Sequence, residues 1–443
     1  MTIRRRTSGL ALAAACSLAL TACSAGDLGS SDDAGGSSSV TITYLAGNQE
    51  QDVKEAQQLI KDFMAKTPGV TVKLESRPGG TEGDNIVKTR LSTGDMTDVF
   101  SYNTGSLFQA IAPQKNLVPI SDQPYIGDID ENFKKTVTAG DQVYGVPAGG
   151  FMAGAVLYNI PVYTKLGLKV PTTWAEFMAN NAKIKAAGGG VAPVIQTYGE
   201  TWTSQLFVLG DFHNVAAAES DFADRYTKNQ AKYSTSPAAK KGFEHTQQVH
   251  DAGYQNSDFA SAKLPDGLRM LAQGKGAHYP ILTGVVNDMI DTYPNGAKDV
   301  GLFALPGDDA SKNGLTVWTP NGVYIPNTTT GDKLEAAKKF LAFVASPDGC
   351  KSLATAGVPT GPYAVKGCEL PADVPQAIKD MQPYLDKPGG SSLALEFLSP
   401  VKGPSLEQIT VEVGSGIRKA QDGAARYDED VKKQAQQLGL AGW

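Results

Sequence analysis

Cysteine is scarce. Four in 443 residues are too few for a disulfide scaffold, and none sits at a zinc-site spacing with histidine. Charge of either sign is also limited: 19% of residues are charged, and 46 acidic against 40 basic residues give a formal net charge of −6. No lysine or arginine block follows the first few residues, which excludes the electrostatic footprint of a nucleic-acid binder. The one apolar run of note is Leu10 to Leu20, so a polytopic membrane protein is excluded. There is no G-x-S-x-G elbow, phosphate-cradling loop or zincin helix. His245 and His250 are five apart and do not share a helical face, and His213 and His278 stand alone. No metal or cofactor is expected. The acidic pairs Asp128/Asp130 and Asp221/Asp224 carry nothing that separates them from surface charge. A glycosidase needs one carboxyl raised in pKa and one ionised, across a bond.

What remains is a chain with 41% hydrophobic residues, enough for a large core and for two or three domains. Arg4, Arg5 and Arg6 precede the apolar run, which is too short to span a bilayer and suits a signal peptide. The run ends in Leu20-Thr21-Ala22-Cys23, which resembles a bacterial lipobox. On that resemblance residues 1–22 are removed and the Cys23 thiol is acylated; an ordinary secretory signal is the alternative. The triple arginine leaves general and twin-arginine export both open. Residues 23–39 are rich in glycine, serine and aspartate and read as a flexible tether. The reading is of a protein held by a lipid at the outer face of the cell membrane. Cys350 and Cys368 remain, and an oxidising location predicts a disulfide between them, two buried thiols being the alternative.

From residue 40 the pattern is α/β. Val40 to Leu45 is short and β-branched. Val53, Ala56, Ile60, Phe63 and Met64 recur on one helical face. Val70 to Leu74 alternates, a second helix covers about 84–92, and Asp98 to Tyr102 is a third strand. This β-α-β-α-β order predicts a parallel sheet, with ligands beyond the carboxyl ends of its strands. Asn48, Gln49, Tyr102 and Asn103 fall on that rim. Thr173 and Glu176 form a capping box around Trp174, where the indole reads as a packed helix-start aromatic. Residues 334–345 are an amphipathic helix, and 405–440 is mostly helical by pattern.

Several segments, in order, resemble the extracytoplasmic solute-binding proteins of carbohydrate ABC transporters. They are Ser92-Thr93-Gly94-Asp95 to Phe100, Gly140 to Pro147, and Leu157-Tyr158-Asn159 through Leu166-Gly167-Leu168 to Phe177. Gly274 to Ala277, Leu305-Pro306-Gly307, Gly322 to Pro326 and Glu335 to Leu341 continue the series. The chain departs from the pattern at Thr97, where proline is frequent, and after Gly284, where Val285 and Val286 stand in place of a tryptophan; His278-Tyr279-Pro280 is the candidate replacement. The resemblance implies a two-lobed periplasmic-binding-protein fold of type II and no catalysis. Lobe 1 is expected over 40–148 and 322–372, lobe 2 over 149–321 and 373–443. Crossovers are expected near 148–154, 316–322 and 370–376, with Gly149 and Gly150 as hinge.

The implied partners are a carbohydrate, held by a monomer, and the permease subunits to which it is delivered. A sugar offers apolar C–H faces and polar edges, so flat aromatics and planar amides are the candidates. Trp202 and Trp318 lie in polar, loop-like contexts and are the leading stackers, with Tyr102 and Tyr279 behind them. Asn48, Gln49, Asn103 and Asn321 are the amide candidates, and Phe151 a candidate wall. A secreted polysaccharide-cleaving enzyme is one rival. A receptor for another solute, such as a polyol phosphate or a peptide, is the second; an anionic ligand would call on arginines, of which Arg77 and Arg90 lie near the first rim. The sugar's identity, length and anomer are not readable.

Overall fold

A computed structural model describes residues 39–443. The expected signal peptide, Cys23 and all of the tether but Ser39 lie outside the described residues. In chain order the strands are β1 (Val40–Gly47), β2 (Val70–Arg77), β3 (Val99–Tyr102), β4 (Thr138–Ala139), β5 (Gln142–Val143), β6 (Gly145–Ala148), β7 (Met152–Asn159), β8 (Ala192–Val194), β9 (Gly276–Leu282), β10 (Val300–Ala304), β11 (Leu315–Trp318), β12 (Asn321–Tyr324) and β13 (Ser391–Leu393).

Two sheets define two lobes. The first has the order β2-β1-β3-β12-β6. β1 pairs parallel with β2 and β3, as the alternating pattern predicts. β12 enters from far along the chain and runs antiparallel to both β3 and β6. The helix Glu50–Lys66 buries Ala56, Leu59, Ile60 and Phe63, with Val53 and Met64 half-buried at its margins. Its Phe63 ring meets Phe340, from the helix Gly331–Val344, at 5.1 Å, and Phe340 meets Tyr44 of β1 at 5.3 Å. Asp98 ties three elements together. Its carboxylate accepts from the Thr43 amide and hydroxyl and pairs with Lys333.

The second sheet is built around β7, which pairs with β9 on one side and with β10 and β11 on the other. Successive β9 residues face opposite ways. His278 bonds the Tyr163 hydroxyl at 2.6 Å and the Asn181 side chain, while the Tyr279 hydroxyl meets Thr197 at 2.7 Å. Trp174 opens its helix inside the predicted capping box and stacks on His245 at 3.7 Å. The helices Pro237–Asp251, Leu406–Gly414 and Ala420–Gln437 add a helical layer, and the Asp428 carboxylate of the last accepts from the Tyr233 and Ser234 amides.

Burial lowers the His278 pKa from 6.5 to about 3. The unfolded chain takes up this proton near pH 6.5, while the folded chain refuses it until about pH 3. Stability is therefore fully present above the upper value and falls as pH drops through that window, by at most about 1.4 kcal/mol per pH unit. His278→Gln is expected to flatten the urea midpoint against pH in this range. A slope equal to that of the unsubstituted protein would show that His278 is not the group involved.

Among the described residues the chain crosses between sheets three times. Gly149 and Gly150 carry it from β6 to β7, and Thr319-Pro320 from β11 to β12. The segment 357–375 crosses last, bridging Gly150 to Tyr363 and Ile129 to Val365. Gly149 has φ +128, a conformation suited to glycine. A Cβ on Gly150 would lie 2.1 Å from the Gly361 carbonyl oxygen, and one on Gly361 2.1 Å from that of Phe151, so the two crossings touch backbone to backbone. The disulfide joins Cys350, in the helix Pro347–Ala356, to Cys368 in this last crossing.

Candidate functional site

A cleft of about 580 Å³ opens where the strand ends of the two lobes meet the crossings. Gln49, Asp52 and Glu55 line it from the end of β1 and the helix that follows, Arg77 from the end of β2, and Asn103 from beyond β3. Met152, Gly284, Asn287 and Asp288 face them from the second lobe. Gly149, Gly150, Asn321, Thr360 and Tyr363 belong to the crossings or their margins.

The local sequence explains this wall. A Cβ on Gly47 would come within 2.0 Å of the Asp52 carboxylate, so glycine at the end of β1 lets the helix bring Asp52 against the strand. Burial raises the Asp52 pKa, and the Arg77 charge opposes that rise. Glu55 is pushed up to about 7, chiefly by burial; the Gln51 amide, donating at 2.8 Å, opposes the shift and Asp52 adds to it. Arg77 is 8% exposed and donates to the Pro78 and Ser101 carbonyls, its guanidinium 5.5 Å over the Tyr102 ring.

The cleft brings together Gln49, Asn103 and Asn321 of the residues expected from sequence. Arg77, named for an anionic solute, also lines it; the other candidate contacts do not. Asn48 is exposed at the strand end. Tyr102 is fully buried in the first lobe and Tyr279 is 1% exposed in the second. Phe151 is 3% exposed, its amide bonded to the Pro362 carbonyl. Trp318 is 7% exposed, packed over Gly154, and its indole N–H donates to Glu396. Trp202 is half-buried in the turn Thr201–Gln205, packed against the core. His278 is wholly internal. Sequence reasoning missed Asp52, Glu55, Asn287, Asp288 and Tyr363. The available signal for the first two was their position in the opening turns of the helix after the β1 rim.

Three of the four carboxylates in the acidic pairs have structural duties. Asp221 and Asp224 pair with Arg225 and Lys228, and Asp130 caps the helix Glu131–Thr136. Among the described residues no group of His, Cys, Asp and Glu is placed to hold a metal ion, and no helix is long and apolar enough to cross a membrane.

Comparison with known proteins agrees with this architecture. The profile of the family described as bacterial extracellular solute-binding protein matches residues 46–349. A multiple sugar-binding protein of Streptococcus mutans is 26% identical over 337 residues, covering 74% of this chain and 76% of that protein. A melibiose/raffinose/stachyose-binding protein of Bacillus subtilis is 23% identical, covering 70% of this chain and 72% of that one. The solved apo-form of RafE from Streptococcus pneumoniae superposes with a TM-score of 0.75 at 20% identity, over 90% of this chain and 99% of its own.

Proposed function

Because the chain belongs to the bacterial extracellular solute-binding proteins, we propose that its cleft captures a carbohydrate for an ABC importer. Proteins of this family bind solutes for transporters and are not enzymes. The supporting observation is the cleft itself. It lies between two sheets joined by three crossings and is lined by amides near strand ends and by carboxylates on the helices Glu50–Lys66 and Val286–Thr292. Those groups match the hydroxyl edges of a sugar, and Gln49, Asn103 and Asn321 are assigned to them. A ligand bridging the lobes adds contacts that the unliganded form lacks, so it shifts the population toward closure. The sugar-binding relatives named above support the same ligand class.

In this reading lobe 1 comprises 40–148 and 322–372, lobe 2 comprises 149–321 and 373–443, and the closed monomer delivers its ligand to a membrane permease. Acylated Cys23 anchors it at the extracytoplasmic face. Trp202 and Trp318 would serve as stacking surfaces only if closure or a rotamer change presents them. Calorimetric titration against mono- and oligosaccharides is the test. Saturable binding, weakened by Asn103→Ala and Asn321→Ala, is expected; heat-silent titrations across the whole panel would refute the reading.

A further inference from the structure

The charges that line the cleft are unbalanced. Asp52 and Glu55 project from the first helix and Asp288 stands across from them, against a single guanidinium, that of Arg77. No lysine lines the cleft among the described residues. Arg77 is already committed: two of its nitrogens donate to the Pro78 and Ser101 carbonyls, and its face lies over Tyr102. Its Nε, buried with the rest of the side chain, has no partner among the described residues and can still donate to a ligand hydroxyl, while its charge acts on Asp52 and leaves Glu55 and Asp288 without a cation among the residues that line the cleft. The lining also holds no indole, and Tyr44 and Tyr363 are its two aromatic residues. Hydrogen bonding and charge, more than ring stacking, must therefore supply recognition.

We propose that the solute is a saccharide bearing a basic nitrogen, its ammonium group seated against Asp52 and Glu55 and its hydroxyls against Arg77 Nε, Asn103 and Asn321. The inference rests on the saccharide reading above and narrows it. The groups around Glu55 explain why a cation fits. Gln51 and Asp52 face it from its own helix, Tyr363 from the last crossing and Tyr44 from β1. Not one of these is cationic. Burial has already pushed Glu55 up to about 7, so its ionised form lacks a counter-charge, and an ammonium group within reach supplies one. A uronic acid would place a third carboxylate beside Asp52 and Glu55 and is disfavoured by the same argument.

The experiment is calorimetry with the folded protein at about pH 7, where an amine of ordinary pKa is mostly protonated. Matched sets of glucose-type, galactose-type and β-1,4-linked disaccharide probes would differ only in carrying a hydroxyl, a free amine, an acetylated amine or a carboxylate. In at least one set the free amine is expected to bind about tenfold or more tightly than its hydroxyl counterpart. Glu55→Gln and Asp52→Asn, close in shape, are each expected to reduce that advantage to about threefold or less. Neutral sugars binding as well as or better than amines would overturn this inference and leave the saccharide reading standing. An amine advantage that survives both substitutions would also overturn it. Failure of every probe to bind would remove both readings. The unsubstituted protein alone decides the first comparison, so the outcome does not depend on either variant folding.

Discussion

Phe340→Ala is expected to destabilise the first lobe by about 3–5 kcal/mol. The ring is fully buried, edge-on to Phe63 and tilted against Tyr44. It joins two helices to β1 of the first sheet. Its removal leaves a cavity among side chains held by three separate elements, which cannot all collapse inward together. The four tryptophans offer a way to see where the damage falls. Trp174, Trp202 and Trp318 belong to second-lobe elements, and Trp443 packs near Thr227 in the same lobe. In urea, far-ultraviolet circular dichroism should show an early transition in the variant, while the tryptophan fluorescence transition moves less. A loss below about 1 kcal/mol, or identical shifts by both probes, would contradict the packing argument. Phe340→Leu, which keeps most of the volume, should lose less than about 1.5 kcal/mol.

The second large effect is expected at the disulfide. Replacing Cys350 and Cys368 together by serine should lower stability by about 3 kcal/mol on the chain-entropy account, given their sequence separation of 18. The consequence for binding is separate from that figure. The closed loop contains Val358, Pro359, Thr360 and Tyr363, all of which line the cleft. Loss of the cross-link frees a wall that is otherwise preorganised, so affinity should fall as well. Urea midpoints and titrations compared with and without reductant, and again with the double variant, test both parts. Equal midpoints in the oxidised and reduced protein would show that the cross-link adds nothing, and unchanged affinity would detach it from the site.

Much of this architecture could be read from residues alone, for specific reasons. The opening β-α-β-α-β run is local: Val40 to Leu45 and Val70 to Leu74 announce strands by branching and alternation, and the intervening apolar spacing announces the helix. The Thr173–Glu176 capping box is equally local. The antiparallel insertion of β12 was not legible, because a strand's composition does not name its partners. The helical C-terminal region contains a break at 415–419, where Gly416 adopts φ +71, and helix-forming neighbours mask that signal. The site was harder still. Asp52 and Glu55 lie on the polar face of an amphipathic helix, and polarity alone does not distinguish a solvent-facing surface from a cleft-facing one. Trp318 stands in a polar stretch because it reaches Glu396 and lies over Gly154, a long-range fact with no local trace. Tyr279 likewise looked available only because Thr197, its partner, is 82 positions away.

The placement of β12 also bears on how the chain matures. It separates β3 from β6 in the first sheet, so every earlier strand of that lobe exists before the piece that unites them. A nascent polypeptide must extend through Tyr324 before the gap can be filled. Until then the amino-terminal portion keeps open edges, on β3 and on β6, that cannot pair with each other across the missing place. The first-lobe sheet is thus assembled late, by a strand arriving from beyond the entire second sheet core of β7, β9, β10 and β11. Closure of such a distant loop favours slow, late folding of this sheet over stepwise completion from the amino terminus.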